Sequence, residues 1–193
     1  MKTNSWLIQS RPISSQPTSA RASFAALAGG LLLAMAFAPS LQAAELKVEF
    51  DIPRLDVAEY HRPYVTVWLE GTPAAFTPLA VLYDAKKKNK EGNQWLKDLR
   101  QWWRRGGRDL DMPVDGITSA TPATGRQRLR YVAGQAPLGK LPAGDYKLVV
   151  EAVREVGGRE VVSLPFTWPP KEARRLEGQG HSELGAVTLE LQP

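Results

Sequence analysis

The sequence contains no cysteine, and this absence excludes several kinds of chemistry. Without thiols the chain can form no disulfide, thiolate iron–sulfur cluster or c-type haem attachment, and no thiol can act as a nucleophile. Histidine is almost as scarce, since only His61 and His181 are present and their spacing is not that of a zinc site. We therefore predict no metal site, and we assign no catalytic residue.

Acidic residues are absent from the first 43 positions, which contain one lysine and two arginines. A 15-residue apolar stretch, Phe24–Ala38, follows the last of these arginines, and small residues surround position 43. This order is typical of a secretory signal peptide. The stretch is shorter than the roughly 20 residues that span a bilayer. We predict that residues 1–43 are a signal peptide for export to the periplasm, and that residues 44–193 form one domain without stable membrane insertion. An uncleaved N-terminal anchor is the alternative.

The charge of the predicted mature chain is small. The whole sequence has a net charge of +5, from 25 Lys and Arg residues against 20 Asp and Glu residues. Three of the basic residues and none of the acidic ones precede residue 44, so the remainder carries +2. Because nucleic-acid binding depends on a concentrated positive charge, we expect no nucleic-acid partner.

Short segments of β-type patterning dominate residues 44–193. Residues 63–70 have apolar side chains on both faces, as expected for a central strand. Gly157 and Gly158 separate two further segments and suit a hairpin turn. We predict an all-β fold, an immunoglobulin-like β-sandwich of about seven strands with one inserted short helix. The predicted strands are 46–50, 63–70, 79–84, 127–133, 145–154, 159–168 and 184–191.

The inserted helix is predicted over residues 91–105, where apolar residues recur at helical spacing. Asn93 is the expected N-cap and Gly106 follows the last turn. Its apolar face carries Trp95, Trp102 and Trp103. We favour packing of this face over an open end of the sandwich. The alternative is an exposed surface that stacks on a flat ligand or docks a partner, in a non-catalytic binding or accessory module.

The loop after this helix carries the most specific motif. Its residues Asp115-Gly116-Ile117-Thr118-Ser119-Ala120-Thr121 resemble the Asp-x-x-(Ser/Thr)-Gly-Ala-(Thr/Ser) sequence to which bacterial FMN transferases attach FMN. The resemblance implies that Thr121 is esterified by the FMN phosphate, with FAD as the donor. It also implies that Asp115 and Thr118 serve in recognition, and that Ser119 and Ala120 belong to the same cofactor-binding segment. Ser119 stands where the motif has glycine. We expect an exposed acceptor hydroxyl on a mobile loop, because the transferase must close around it.

A wider resemblance covers nearly all of residues 44–193. Residues 60–70, the tryptophan helix, the loop 115–125 and the segments 141–146 and 150–154 follow one another as in domain-of-unknown-function family 2271, a family of predicted periplasmic bacterial proteins. This resemblance implies an FMN transferase and a PepSY-type membrane reductase as partners, covalent FMN as the cofactor, and electron transfer outside the cytoplasm. Such a carrier is a redox protein rather than a catalyst.

A hydrolase is the third interpretation. Asp109, Asp111 and Asp115 lie close together in the sequence, but no nucleophile-elbow or zinc-protease motif accompanies them. Arginines at 104, 105 and 108 make solvated ion pairs the simpler explanation for these carboxylates.

Overall fold

A computed structural model describes residues 43–71 and 75–193 of the chain. The predicted signal peptide, residues 1–43, lies outside the described residues except for its last position. Nine strands and two short α-helices occur in the described part: β1 Glu45–Ile52, β2 Tyr64–Gly71, β3 Phe76–Leu82, α1 Glu91–Gln94, α2 Arg100–Arg105, β4 Thr118–Ser119, β5 Gly125–Val132, β6 Gly144–Val153, β7 Arg159–Trp168, β8 Arg174–Gln179 and β9 Ala186–Gln192.

The strands form two sheets. One has the order β5-β1-β9-β8 and is antiparallel throughout, and the other has the order β4-β3-β2-β6-β7. Only the β3–β4 pair is parallel. This arrangement confirms the prediction of a sandwich-like all-β fold, while its immunoglobulin-like connection stays a prediction.

Two hydrophobic cores stabilise this arrangement, one between the sheets and one outside them. Alternate residues of β1 (Leu46, Val48 and Phe50) point into the first core and are at most 1% exposed. The second core lies on the outer face of the five-stranded sheet, where the segment between β3 and β4 covers it. Strand β2 contributes to both cores, which confirms that it is central and covered on both faces.

The segment over residues 91–105 is helical but broken. The backbone of Leu99 leaves the helical region, with φ −74° and ψ 70°, and separates the turn Leu96–Asp98 from α2. This break lets Leu96, Leu99 and Trp102 all reach the sheet, where each is at most 1% exposed. Burial of this apolar face stabilises helices that are too short to persist alone.

The predicted N-cap of the helix was wrong. Asn93 lies inside α1, and its amide donates a hydrogen bond to the Met112 carbonyl over 3.0 Å. The N–H groups that begin α2 bind Glu151 of β6 instead: Gln101 N lies 3.1 Å from Oε1 and Trp102 N lies 2.8 Å from Oε2. Glu151 is fully buried, and its Oε1 also accepts a hydrogen bond from Arg159 Nε over 2.6 Å. A strand carboxylate thus caps a helix that is 50 residues away in sequence.

Two strands were missing from the prediction. Strand β8 has only one apolar residue, Leu176, among its six positions, so no alternation marks it. It is an edge strand on β9, and edge strands tolerate such a polar composition. Strand β4 has two residues and follows a turn, and it exists because β3 offers it backbone partners.

Candidate functional site

The motif loop is held against the end of β3. Gly116 has φ +77°, a left-handed conformation that suits glycine, and it completes the turn before β4. The Val81 N–H then donates to the Ile117 carbonyl over 2.7 Å, and the Tyr83 N–H donates to the Ser119 carbonyl over 2.9 Å. These bonds fix the parallel register, in which Leu82 lies opposite Ser119.

This register brings Thr121 beside Asp84, since each lies two residues beyond that last pair. Thr121 Oγ1 donates a hydrogen bond to Asp84 Oδ1 over 3.3 Å. The other carboxylate oxygen, Oδ2, lies 3.9 Å from Lys87 Nζ. Thr121 is 9% exposed, so the expectation of an exposed acceptor hydroxyl was wrong. The reason is the backbone pairing, which seats the end of the motif against β3 instead of leaving it free.

Thr121 and Asp84 line a cleft with a volume of about 850 Å³. Pockets that bind small molecules or cofactors run from roughly 300 to 1,000 Å³. Its charged lining contains five Lys and Arg side chains against three carboxylates, but Arg154 and Arg159 are neutralised by ion pairs with Glu183 and Glu151. The positive charge of Arg62, Lys87 and Arg100 remains to meet an anionic group of a ligand. The basic residues are Arg62, Lys87, Arg100, Arg154 and Arg159, and the acidic ones are Asp84, Asp98 and Glu155.

Aromatic side chains contribute two cation–π pairs to this cleft. Lys87 Nζ lies 4.1 Å from the ring centre of Trp95, and the Arg154 guanidinium lies 6.0 Å from that of Tyr60. Tyr64 adds a third ring, and its hydroxyl is buried beside the Asp84 backbone without a hydrogen bond of good geometry. Burial, followed by the charge of Asp84, raises the pKa of Tyr64 to about 12. Tyr64 is therefore a neutral hydroxyl at physiological pH.

The hairpin between β6 and β7 forms the opposite wall and is rigidly anchored. Arg154 makes a two-pronged ion pair with Glu183, with Nε 3.0 Å from Oε2 and Nη2 3.1 Å from Oε1. Both side chains are at least nine-tenths buried. Glu183 also accepts the Gly158 N–H over 2.7 Å. A Cβ at Gly157 would meet the Arg154 guanidinium at 2.5 Å, so this glycine allows the close packing.

Of the five predicted site residues, only Thr121 lines the cleft. Asp115, Ser119 and Ala120 are exposed on the surface of the same loop. Thr118 Oγ1 accepts the Val114 N–H over 3.0 Å and thereby closes the turn. Ser119 lies in β4 with no left-handed φ, so serine fits without strain where the motif has glycine.

The tryptophan face is mostly core. Trp102 is fully buried and Trp103 packs partly buried beside it, with ring centres 6.4 Å apart. Packing was therefore the correct interpretation, although the face covers the outside of a sheet rather than an open end of the sandwich. The alternative interpretation, an exposed docking surface that includes Trp102, is wrong. Trp95 alone of the three lines the cleft.

The two histidines and the three clustered aspartates do not come together in one site. His61 lines the cleft, and its Nε2 lies 3.0 Å from Glu59 Oε1, while the backbone of His181 donates to Glu160. Asp109, Asp111 and Asp115 are exposed. Across residues 43–71 and 75–193, no three His, Asp or Glu side chains are grouped to hold a metal ion.

Sequence reasoning missed most of the cleft, including Asp84, Lys87 and Arg154. Signals for it were the lysine run that follows β3 and the family-resembling segments 60–70 and 150–154, which contain Tyr64 and Arg154. The Asp84–Thr121 contact depends on the β3–β4 pairing, which no local pattern announces.

Two solved structures of human GIVD cytosolic phospholipase A2, each in complex with methyl gamma-linolenyl fluorophosphonate and one also with terbium chloride, align with 78% of this chain at 10% identity. Their TM-scores are 0.30 and 0.29, and the chain spans 17% of their length. These values support no inference about fold or function. No curated protein sequence matches the chain.

None of the helices in the described residues has the length and apolar character to cross a membrane. The family described as "Predicted periplasmic protein (DUF2271)" matches residues 45–186, which include every strand from β1 to β8 and the first residue of β9. The match confirms the predicted periplasmic location. The chain therefore belongs to the DUF2271 family of periplasmic proteins.

Proposed function

We propose that this protein is a periplasmic redox carrier, an immunoglobulin-like β-sandwich that holds FMN covalently on Thr121. In this role it exchanges electrons with a PepSY-type membrane reductase, and an FMN transferase loads it. The bound FMN supplies one- and two-electron transfer, so the chain itself needs no catalytic residue.

The placement of Thr121 carries the proposal. Thr121 is the last residue of the FMN-attachment motif and the one residue of that motif that lines the large cleft. An ester at its Oγ1 would therefore keep the cofactor at a pocket rather than on an open surface. The exposed side chains of Asp115 and Ser119 leave the outer side of the loop available to the transferase.

The chemistry of the cleft suits this group. Lys87 and Arg100 supply positive charge for a phosphate, and the rings of Trp95, Tyr60 and Tyr64 supply apolar surface for a flat heterocycle. The buried Tyr64 hydroxyl, which lacks a well-formed hydrogen bond, is a free polar group beside the cleft. The volume of about 850 Å³ is sufficient for a cofactor.

Covalent attachment fits the compartment. A dissociable cofactor outside the cytoplasm is lost by dilution, because its bound fraction follows its free concentration. An ester on Thr121 removes this dependence.

The direct test is co-expression with an FMN transferase, followed by intact-mass measurement. We expect the wild-type mass to rise by one FMN less one water, and the digested peptide that contains Thr121 to carry the addition. Thr121→Ala should abolish it. Thr124→Ala is the matched control, since Thr124 is an exposed hydroxyl three residues further on that lies outside the cleft, and this variant should be modified fully. An unmodified wild-type protein under these conditions refutes the proposal.

A non-covalent binding module is the second candidate, and the Lys87–Trp95 pair at the cleft favours it. Such a module binds a flat anionic ligand without modification of Thr121. It predicts an unmodified mass, together with ligand binding that Trp95→Leu weakens and Thr121→Ala leaves intact.

A further inference from the structure

We infer that Asp84 selects Thr121 among the hydroxyls of the motif loop and accepts its proton during attachment of the flavin phosphate. This inference rests on the proposed function. It assigns a role to a residue that lies outside the motif, 37 positions earlier in the chain.

The contact between Thr121 and Asp84 follows from the backbone pairing of β3 and β4. The Val81 and Tyr83 N–H groups fix β4 in register, and the same register carried two residues further places Thr121 opposite Asp84. Oγ1 donates to Oδ1 over 3.3 Å. A carboxylate that accepts this bond holds the hydroxyl with its proton directed at a base and a lone pair free for attack.

The other hydroxyls of the loop lack such a partner. Thr118 Oγ1 is engaged by the Val114 N–H, and so it serves the turn. Ser119 and Thr124 are exposed, and neither hydroxyl bonds to a carboxylate in the described part of the chain. Exposure alone would favour these two as acceptors. The carboxylate contact therefore separates Thr121 from its neighbours.

Asp84 is itself held in place on two sides. Its Oδ2 lies 3.9 Å from Lys87 Nζ, and that ammonium lies over the Trp95 ring at 4.1 Å. On the backbone side, a Cβ at Gly92 would lie 2.2 Å from the Asp84 carbonyl oxygen, so the glycine allows α1 to pack directly against it. The packing of α1 thus fixes the backbone of Asp84, and its carboxylate lies between Lys87 and Thr121.

The reaction balances with FAD as the co-reactant. Thr121 Oγ1 forms a bond to the phosphorus on the FMN side of the pyrophosphate, and the bond from that phosphorus to the bridging oxygen breaks. AMP departs with the bond's electron pair. The hydroxyl proton passes to Asp84, which later releases it to solvent. No electron is gained or lost by the flavin in this step.

The test compares Asp84→Asn with wild type as substrates of an FMN transferase, using full-length protein exported by a host that lacks the transferase. The initial rate of FMN addition is measured by intact mass at varied protein concentration. We expect kcat to fall roughly a hundredfold, the range of general-base contributions, with KM for the protein unchanged. Asp111→Asn is the matched control, because Asp111 is an exposed aspartate outside the cleft, and it should behave as wild type.

Thermal unfolding of each variant separates this role from a structural one. Equal kcat for Asp84→Asn and wild type overturns the inference while the proposed function stands. A loss that is the same in both asparagine variants, or that appears as a raised KM together with a lowered Tm, also overturns it. A wild-type protein that the transferase does not modify overturns both the inference and the proposed function.

Discussion

Replacing Glu151 with glutamine is expected to destabilise the fold by about 2 kcal/mol. Glu151 Oε1 accepts hydrogen bonds from Gln101 N and Arg159 Nε, and Oε2 accepts one from Trp102 N. Three donors thus converge on one fully buried carboxylate. Glutamine has nearly the same shape but presents one oxygen and one amino group.

The magnitude follows from the two orientations that the amide can take. With its oxygen at the Oε1 position, Trp102 N faces an amino group and loses its acceptor, and with the opposite orientation Gln101 N and Arg159 Nε lose theirs. Leaving a buried donor unsatisfied costs roughly 1–3 kcal/mol. Arg159 is one-third exposed and can turn to water, so its share is small. The better orientation therefore costs about 2 kcal/mol.

Urea unfolding at 25 °C, followed by tryptophan fluorescence, measures this cost. The matched control is Glu177→Gln, which removes a carboxylate that is 65% exposed and should change stability by no more than about 0.5 kcal/mol. Amide hydrogen exchange should also accelerate at Gln101 and Trp102 in the Glu151 variant. If the two variants are equally stable, the interpretation of Glu151 as the anchor of α2 is refuted.

Three further predictions concern single positions. Val156→Asn should raise Tm by a few degrees, a gain of about 1 kcal/mol, because Val156 is 82% exposed and holds φ +53°, a conformation that valine disfavours and asparagine tolerates. Burial raises the pKa of Glu160, but hydrogen bonds from three N–H groups of the loop 181–184 outweigh it and leave that pKa below its ordinary value. The stability that ionised Glu160 adds is therefore complete above its unfolded-state pKa and is lost as pH falls through its folded-state pKa. The Tm difference between wild type and Glu160→Gln should accordingly be present at pH 7 and vanish in acid. Gly92→Ala should destabilise the protein by about 2 kcal/mol in urea unfolding, since its Cβ would lie 2.2 Å from the Asp84 carbonyl oxygen; unchanged stability would contradict the close packing.

Local patterns were sufficient for the parts of the fold that repeat along one segment. Alternation predicted β2 and its burial on both faces, because Trp68 and Val67 point to opposite sides and both are fully buried. The paired glycines correctly marked the β6–β7 turn. The residue that takes the left-handed conformation there, however, is Val156 rather than a glycine.

Features that depend on distant partners could not be predicted in this way. Glu151 looks like one polar residue in an apolar strand until α2 is placed above it, 50 residues away. In the same way, Asp84 reads as the end of a strand, and only the β3–β4 pairing shows that it meets Thr121. The motif singled out Thr121 but did not predict its buried environment, since a heptad describes neither the strand that it pairs with nor the cleft beside it.

Intact mass, measured with the visible absorption spectrum on protein purified from the periplasm of its native host, tests the flavin assignment most directly. We predict a mass increased by one FMN less one water, and a flavin absorption band that stays with the polypeptide after denaturation and gel filtration. Peptide mapping should place the addition on Thr121. A colourless protein with the unmodified mass would contradict the assignment.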